Sequence, residues 1–294
     1  MKPNEPSRTA LMIARQRAAH QLLDHGSILN DPFAMKILGE NEKDVLQFAN
    51  AHPLASLGRL FTAARSRIAE DALAKGIEKG CRQIVILGAG MDTFALRNPQ
   101  GAREIRIYEL DYPATQAWKR DRLAEVQIAL PPWLIFVPVD FERDDVGENL
   151  AAAGFQQNES ALFTWLGVVP YLTQDTIDRT LGYISSIQHS EVVFDYMEPP
   201  GAFSEELKQL EKKRTEQLEK MGEPSMTRFE PNGLSAILRS HGFSDIEDIS
   251  FQEIKSRFGG AIQGLAPGHI AVHVVHAKLW PNPQKAWADP NLRL

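Results

Sequence analysis

A glycine-rich turn and an acidic residue that follows it are the features of this sequence with the clearest potential to bind a ligand. Gly88, Ala89 and Gly90 follow the apolar run 84–87, which is typical of a buried strand. Glycines at this point allow a sharp turn and let a ligand approach the backbone without meeting a Cβ. Glu109 comes about 20 residues later, near the end of a second apolar run, where Rossmann-like folds hold ribose hydroxyls. The pattern predicts a site for a ribose-containing cofactor.

Two cofactors compete for this turn. Dinucleotide sites use G-x-G-x-x-G, but Thr93 stands where the third glycine should be. S-adenosylmethionine carries no phosphate, so it needs only the tight turn, a ribose-binding acid and a place for its amino-acid end. Asp92 and Thr93, which also indicate the start of a helix, suit this second cofactor better. A strand-turn-helix unit with a purely structural role is the simpler alternative.

Composition limits the classes of function. The chain has 294 residues, 43% of them hydrophobic and 24% charged, which is ordinary for a globular protein. Its net charge of -6 argues against a nucleic-acid partner, which needs a basic face. Cys81 is the only cysteine, so an intrachain disulfide and a Cys-based zinc site are excluded. The stretch 1–10 lacks an apolar signal core and no long apolar run follows, which predicts a cytoplasmic protein without a membrane partner.

Hydrophobic patterning alternates between strands and helices along the middle of the chain. Such alternation favours a parallel sheet with right-handed crossovers. We therefore predict an α/β, Rossmann-like fold with a seven-stranded, mostly parallel sheet, helices on both faces and an antiparallel last pair. The predicted strands are 84–88, 105–110, 134–139, 161–166, 191–197, 246–251 and 270–277, and the predicted helices between them are 113–128, 144–153 and 173–187.

We expect one domain over residues 1–294. Its parts are a helical N-terminal extension (1–80, with helices over 8–25 and 54–75), a cofactor-binding core (81–200), a helical lid (201–225) and a C-terminal helix and strands (226–294). The lid is predicted from an amphipathic stripe with a break after it. A fixed surface helix is the alternative. The stripe consists of Phe203, Leu207, Leu210, Leu218 and Met221.

Several separate stretches form one ordered set. They are Ser7-Arg8-Thr9-Ala10, Asn30-Asp31-Pro32-Phe33, Ala64-Arg65-Ser66-Arg67, Leu87 to Thr93, Tyr108 to Pro113, Val139-Asp140-Phe141 and Thr164 to Leu172. In this set the chain resembles the leucine carboxyl methyltransferase-like family of S-adenosylmethionine-dependent enzymes, including its bacterial O-methyltransferase branch. The resemblance implies a class I methyltransferase fold and S-adenosylmethionine as the cofactor. The glycine turn alone is only moderately specific, whereas the ordered set is highly specific.

The resemblance also implies roles for individual residues. The turn 88–90 would approach the methionine part and the ribose of the cofactor. Glu109 would accept hydrogen bonds from both ribose hydroxyls, with Leu110 beside it. Asp140 would accept a hydrogen bond from the adenine amino group, and Phe141 would lie beside the ring.

Two arginines and the end of a strand complete the implied cofactor site. Arg65 would pair with the carboxylate of the cofactor, and Arg8 would do the same or order that region; a surface charge or a local salt bridge is the alternative for each. Trp165 and Leu166 are also expected at the cofactor. The bacterial branch usually has Trp-Glu-Gly where this chain has Trp165-Leu166-Gly167. A contact made by the usual glutamate, to the amino group of the cofactor or to the substrate, is therefore absent.

The methyl acceptor is less determined than the cofactor. We expect a carboxylate or a hydroxyl of a small molecule, with the carboxylate ahead, because Leu166 removes a like charge that would repel an anion. A carboxylate needs no base, whereas a hydroxyl usually needs one. The candidates for such a base or polar group are Tyr171, His20 and His25, and a structural role is the alternative for the histidines.

The sequence also bears on a metal site and on functions other than methyl transfer. The histidines at 269, 273 and 276 have no Cys or acidic cluster at ligand spacing, so no metal site is expected. A cofactor-binding or regulatory protein without catalysis is the first alternative to an enzyme. An NAD-dependent oxidoreductase is disfavoured by Thr93. The sequence leaves the oligomeric state open.

Overall fold

The fold is built on a sheet whose strands match the predicted ones closely. The computed structural model describes residues 5–51, 55–97, 104–202, 205–259 and 271–279. Within these ranges the strands are β1 (Gln83–Leu87), β2 (Arg106–Asp111), β3 (Leu134–Pro138), β4 (Ala161–Trp165), β5 (Glu191–Met197), β6 (Asp245–Ser250) and β7 (Val272–Lys278). They form a seven-stranded sheet in the order β3-β2-β1-β4-β5-β7-β6.

Strand directions place a switch point at the centre of the sheet. The first five strands pair in parallel, and β7 runs antiparallel to both of its neighbours. From β1 the chain adds β2 and β3 on one side and β4 on the other. Open α/β sheets bind ligands where the strand order reverses in this way, outside the carboxyl ends of the strands. The predicted Rossmann-like fold is confirmed.

Helices cover both faces of the sheet. Val85 and Leu87 belong to one apolar cluster with residues of the helices over 146–152, 174–186 and 231–240. Ile84 and Ile86 pack on the opposite face with residues of the helices over 55–78 and 94–97. Alternation of this kind is the period-two pattern of a strand buried on both sides. The helices are α1 (Arg8–Leu23), α2 (Ala34–Leu38), α3 (Glu42–Asn50), α4 (Ala55–Glu78), α5 (Phe94–Arg97), α6 (Pro113–Glu125), α7 (Val146–Ala152), α8 (Gln174–Ser186), α9 (Glu205–Met221), α10 (Pro231–Ser240) and α11 (Phe251–Arg257).

The predicted lid corresponds to helix α9, which follows β5. Leu218 is buried, so the apolar stripe of this helix packs against the body at its carboxyl end. Phe203 lies outside the described residues, as do the side chains of Leu207 and Leu210. The division of the chain into an extension, a core and a lid stays a prediction. In the described part of the chain, no helix combines the length and apolarity needed to cross a membrane.

Candidate functional site

A cavity of about 620 Å³ opens at the carboxyl ends of β1, β2 and β4. Its volume lies within the range of about 300–1,000 Å³ that is typical of small-molecule sites. It is lined by the loops after β1, β3 and β4, by the end of β2, by α1 and α4, and by the segment after α9. The cavity therefore lies at the switch point of the sheet, where the fold predicts a ligand.

The glycine turn lines this cavity. Gly88 and Gly90 have φ angles of 67° and 50°, in the left-handed region that strains any residue with a Cβ. A Cβ at Gly88 would overlap Cγ2 of Val168, and a Cβ at Gly90 would lie 3.1 Å from the Cβ of Ala10. Both neighbours are themselves part of the cavity wall. Glycine at both positions therefore lets the turn pack closely against these neighbours while its backbone lines the cavity.

Asp111 is the acid of β2 that lies at the cavity. Its Oδ2 accepts a hydrogen bond from the Gly90 amide, and its Oδ1 accepts one from the Tyr112 amide at 2.7 Å. Burial raises the pKa of Asp111 to about 6. Each carboxylate oxygen can accept about two hydrogen bonds, so each retains capacity for a further donor. Asp111 can therefore receive a pair of hydroxyl groups from a ligand beside the turn.

Glu109 lies two residues deeper along the same face of β2 and does not line the cavity. Its Oε2 lies 2.5 Å from Nζ of Lys119 in α6, and each residue is only 1% exposed. Burial raises the pKa of Glu109, and the charge of Lys119 opposes that rise. A carboxylate enclosed in this way cannot reach a ribose in the cavity. The placement corrects the expectation for Glu109, and the acid in the corresponding position is Asp111.

Arg65 extends from α4 to the cavity. Its Nη1 donates to Oδ2 of Asp195 at 2.7 Å, and Oδ1 of the same aspartate accepts from the Gly167 amide at 2.5 Å. The guanidinium also lies 5.8 Å from the ring centroid of Phe61. Its Nε is buried without a hydrogen-bond partner. Because a guanidinium carries five N–H donors, Arg65 retains donors for a carboxylate.

The side chains of three other residues that were expected at the cofactor do not line the cavity. The side chain of Arg8 is 47% exposed and pairs with Glu5 at 3.3 Å, away from the cavity. Leu110 and Trp165 are fully buried in the core. The backbone of Leu110 still supports the turn, since its carbonyl accepts from the Ala89 amide at 2.9 Å. These placements correct the expectations for Arg8, Leu110 and Trp165, whereas Leu166 does line the cavity.

The loop after β3 supplies part of the cavity wall. Asp140 and Phe141 both lie there. Oδ1 of Asp140 accepts from the Glu142 amide at 3.2 Å, and the carboxylate is 27% exposed, so it has room for another donor. Phe141 is only 9% exposed. A partly exposed acid beside a flat ring suits a heterocycle with an amino group.

The candidate bases divide into one residue at the cavity and two elsewhere. Burial raises the pKa of Tyr171, so its hydroxyl keeps its proton at neutral pH and can donate a hydrogen bond into the cavity. His20 is buried, with Nδ1 2.9 Å from Oδ2 of Asp24 and Nε2 accepting backbone amides of the following loop. His25 is exposed, in a turn with φ 52°. The expectation of a histidine at the site is corrected for both.

Arg17 is a cavity residue that the sequence did not reveal. Its Nη1 donates to the Met91 carbonyl at 3.0 Å, and its Nη2 donates to Oγ1 of Thr93 at 2.6 Å and contacts Asp31. These contacts fix helix α1 against the residues that follow the glycine turn. The signal in the sequence was an arginine within a helical stretch, which does not indicate its distant partners.

Comparison with known proteins identifies the family. A family model described as leucine carboxyl methyltransferase matches residues 10–185, which is more than half of the chain. The chain belongs to the leucine carboxyl methyltransferase family. It is an S-adenosylmethionine-dependent methyltransferase, and the predicted enzyme class and cofactor are confirmed.

Individual relatives of this family member agree with that assignment. YktD of Bacillus subtilis is 28% identical over 306 residues, which cover 94% of this chain and 99% of YktD. Rv1729c of Mycobacterium tuberculosis is 30% identical over 193 residues, 61% of this chain and 60% of that protein. Both are named as S-adenosylmethionine-dependent methyltransferases. The crystal structure of the CurJ carbon methyltransferase has a TM-score of 0.51 at 14% identity, covers 94% of this chain and 68% of its own, and shows the shared fold alone.

The cavity wall of this methyltransferase fits its cofactor. Gly88 and Gly90 line the cavity with backbone atoms alone. Asp111 offers two oxygens, and Arg65 has a buried Nε without a partner. Asp140 lines the same cavity. Hydroxyls, a carboxylate and an amino group of S-adenosylmethionine would each meet a complementary group.

We expect Gly90→Val to abolish cofactor binding while the fold stays largely intact. A valine is strained at the φ of 50°, its Cβ crowds Ala10, and its methyl groups would fill the cavity beside the turn. Calorimetric titration with S-adenosylmethionine measures the effect. Gly154→Val is the matched control, because Gly154 also has a positive φ of 87° but open space around it. Wild-type affinity in a folded Gly90→Val protein would contradict the assignment of the turn.

Proposed function

We propose that this methyltransferase transfers the methyl group of S-adenosylmethionine to an oxygen atom of a small molecule, with a carboxylate ahead of a hydroxyl. The observation that carries the proposal is the state of the possible bases: each acid of the cavity wall already accepts a hydrogen bond from a backbone amide, namely Asp92, Asp111, Asp140, Glu142 and Glu223. Among the described residues no histidine lines the cavity, and the hydroxyl of Tyr171 keeps its proton. A carboxylate is already ionised at neutral pH and needs no base.

The residues of the chain would bind and orient the reactants. S-adenosylmethionine supplies an electrophilic methyl group on a sulfonium. Asp111 and the glycine turn would hold the ribose, and Arg65 would hold the cofactor carboxylate. Asp140 would fix the adenine. In-line displacement then depends on alignment and on exclusion of water from the cavity, which are the contributions a protein wall can make.

An anionic acceptor is best accommodated near the end of β4, because the acids that line the cavity lie on other elements, namely Asp92, Asp111, Asp140, Glu142 and Glu223. Leu166 is an apolar residue there, so the carboxylate usual in the bacterial branch is absent. Like charges at short range disfavour binding of an anion, and their removal makes a carboxylate acceptor easier to hold. The Tyr171 hydroxyl can donate a hydrogen bond to one acceptor oxygen. The net charge of -6 supports a small molecule rather than a nucleic acid as the acceptor, and a cytoplasmic location stays a prediction.

The chemistry of the product tests this proposal. The purified protein is incubated with cell extract and S-adenosylmethionine labelled in its methyl group, and the labelled product is treated with mild alkali. We expect release of labelled methanol, because a methyl ester hydrolyses under these conditions. The Gly90→Val protein, which should bind no cofactor, serves as the control for labelling by other enzymes in the extract. Retention of all the label after alkali would exclude a methyl ester and overturn the preference for a carboxylate.

A further inference from the structure

A carboxylate in the segment after α9 joins two parts of the cavity wall. Glu223 is only 9% exposed and lines the cavity. Its Oε1 accepts from the Arg8 amide at 2.7 Å. Its Oε2 accepts from Oγ of Ser7 at 2.9 Å, from the Thr9 amide at 3.2 Å and from Oγ1 of Thr9. All four donors belong to the start of helix α1, up to 216 residues away in the sequence.

The start of α1 compensates the charge of Glu223. Free amides and a partial positive charge at a helix N-terminus favour an anion, and hydrogen bonds to a carboxylate are stronger than neutral ones. Across the described residues no lysine or arginine side chain pairs with Glu223. The stability of this carboxylate in its buried position therefore depends on the contact with Ser7 and Thr9.

The contact lies between two elements that are anchored separately. On one side, α1 is fixed to the glycine turn through Arg17. On the other side, the Met226 amide donates to the Pro170 carbonyl at 2.7 Å, and Oγ1 of Thr227 donates to the Leu172 carbonyl. Loss of the Glu223 contact would therefore separate the two walls locally while both elements stay attached to the body.

We propose that Glu223 is a latch that closes the cavity between the start of α1 and the segment after α9. The closed latch retains the cofactor and excludes water during methyl transfer, and its release lets ligands enter and leave. The inference rests on the proposed function only in taking this cavity as the site of reaction. A positioning role of this kind predicts a change in the rates at which the cofactor binds and is released, because ligand passage requires the latch to open.

The first test measures the release of bound cofactor. Radiolabelled S-adenosylmethionine is bound to each protein and chased with excess unlabelled cofactor. We expect Glu223→Gln to release it at least about tenfold faster, since the amide replaces one oxygen acceptor with a donor that faces the donors of α1. Thr9→Val removes one donor with little change of shape and should accelerate release by a smaller factor. Glu219→Gln, an exposed residue one turn earlier in α9, should leave the rate unchanged.

The second test needs no ligand. Hydrogen exchange of the free proteins should increase in Glu223→Gln at the start of α1 and at 218–226 together, while the sheet is unaffected.

Because Thr9→Val breaks the same contact from the other side, the double variant should release cofactor little faster than Glu223→Gln alone. If folded Glu223→Gln shows wild-type exchange in both segments and release within twofold of wild type, Glu223 is not a latch. Failure of the wild-type protein to form a methyl ester would overturn the proposed function. The hydrogen-exchange result would then still decide whether Glu223 is a latch.

Discussion

Asp111→Ala is expected to weaken the binding of S-adenosylmethionine by roughly a hundredfold in a folded protein. A hydrogen bond to a charged group contributes about 1.5–3 kcal/mol, and two ribose hydroxyls would lose this acceptor. Two bonds at about 1.5 kcal/mol give about 3 kcal/mol, and each 1.4 kcal/mol is about tenfold in affinity. Asp111→Asn keeps one oxygen and should lose about tenfold. Calorimetric titration at pH 7 measures both variants.

The pH dependence of binding gives an independent test of Asp111. Burial raises the pKa of this carboxyl to about 6, so it is charged at pH 7 and protonated below pH 6. Protonation removes acceptor capacity, so affinity should fall as the pH is lowered from 7 to 5, and this dependence should be absent in Asp111→Asn. A dissociation constant of Asp111→Ala within twofold of wild type would show that Asp111 does not hold the ribose. The double variant Glu109→Gln/Lys119→Met, which removes the neighbouring ion pair, should bind the cofactor nearly as wild type does.

Lys119→Met is expected to lower the free energy of unfolding by about 3–5 kcal/mol, because it leaves the carboxylate of Glu109 buried without its partner. Lys119 and Glu109 are each only 1% exposed. The double variant Glu109→Gln/Lys119→Met removes both charges and should recover most of the loss. Urea denaturation at pH 7 measures the three proteins.

The control and the pH profile sharpen this second test. Arg120→Met changes the exposed neighbour in the same helix and should cost no more than about 1 kcal/mol. In Lys119→Met the folded state must keep Glu109 protonated, so its pKa lies above the unfolded value. The folded state then binds more protons than the unfolded state, and stability should fall as the pH rises from about 5 to 8. If Lys119→Met is as stable as wild type, Glu109 and Lys119 do not form a buried ion pair.

The sequence was sufficient for the sheet and for the elements whose patterns are local. The apolar run at 84–88 became β1 with a shift of one residue, and the run at 191–197 became β5 without a shift. Helices α3 and α11 were missed for a physical reason. α3 has only nine residues, and its buried positions, Val45 and Ala49, span little more than one turn. α11 begins directly after β6, inside the predicted strand 246–251, so Ser250, which forms its capping box with Glu253, was assigned to the strand.

The acid of the site shows where sequence reasoning reached its limit. Glu109 and Asp111 lie on the same face of β2, and nearly the same number of residues separates each of them from the glycine turn in the sequence. Only the three-dimensional arrangement shows that Lys119 encloses the first, whereas the second lies at the strand end beside Gly90.

The hydrogen-bond partners of Glu223 and of the histidines could not be predicted from the sequence for a related reason. The partners of Glu223 lie at the opposite end of the chain, and no spacing rule relates positions 216 residues apart. His20 has the chemistry of a base, but its hydrogen bonds to Asp24 and to the following loop are set by the packing of α1. Asp140 was expected at the cofactor from the family resemblance, and its place at the cavity agrees with the rule that parallel strands bring their carboxyl ends to one edge of the sheet.

The most direct test of the cavity as the cofactor site is a crystal structure of the protein with S-adenosylhomocysteine bound. We predict the ligand in the cavity at the ends of β1 and β2, with both ribose hydroxyls hydrogen-bonded to Asp111 and the carboxylate directed at Arg65. The adenine should lie between Asp140 and Phe141. A ligand bound elsewhere, or a ribose held by Glu109 after displacement of Lys119, would contradict this account.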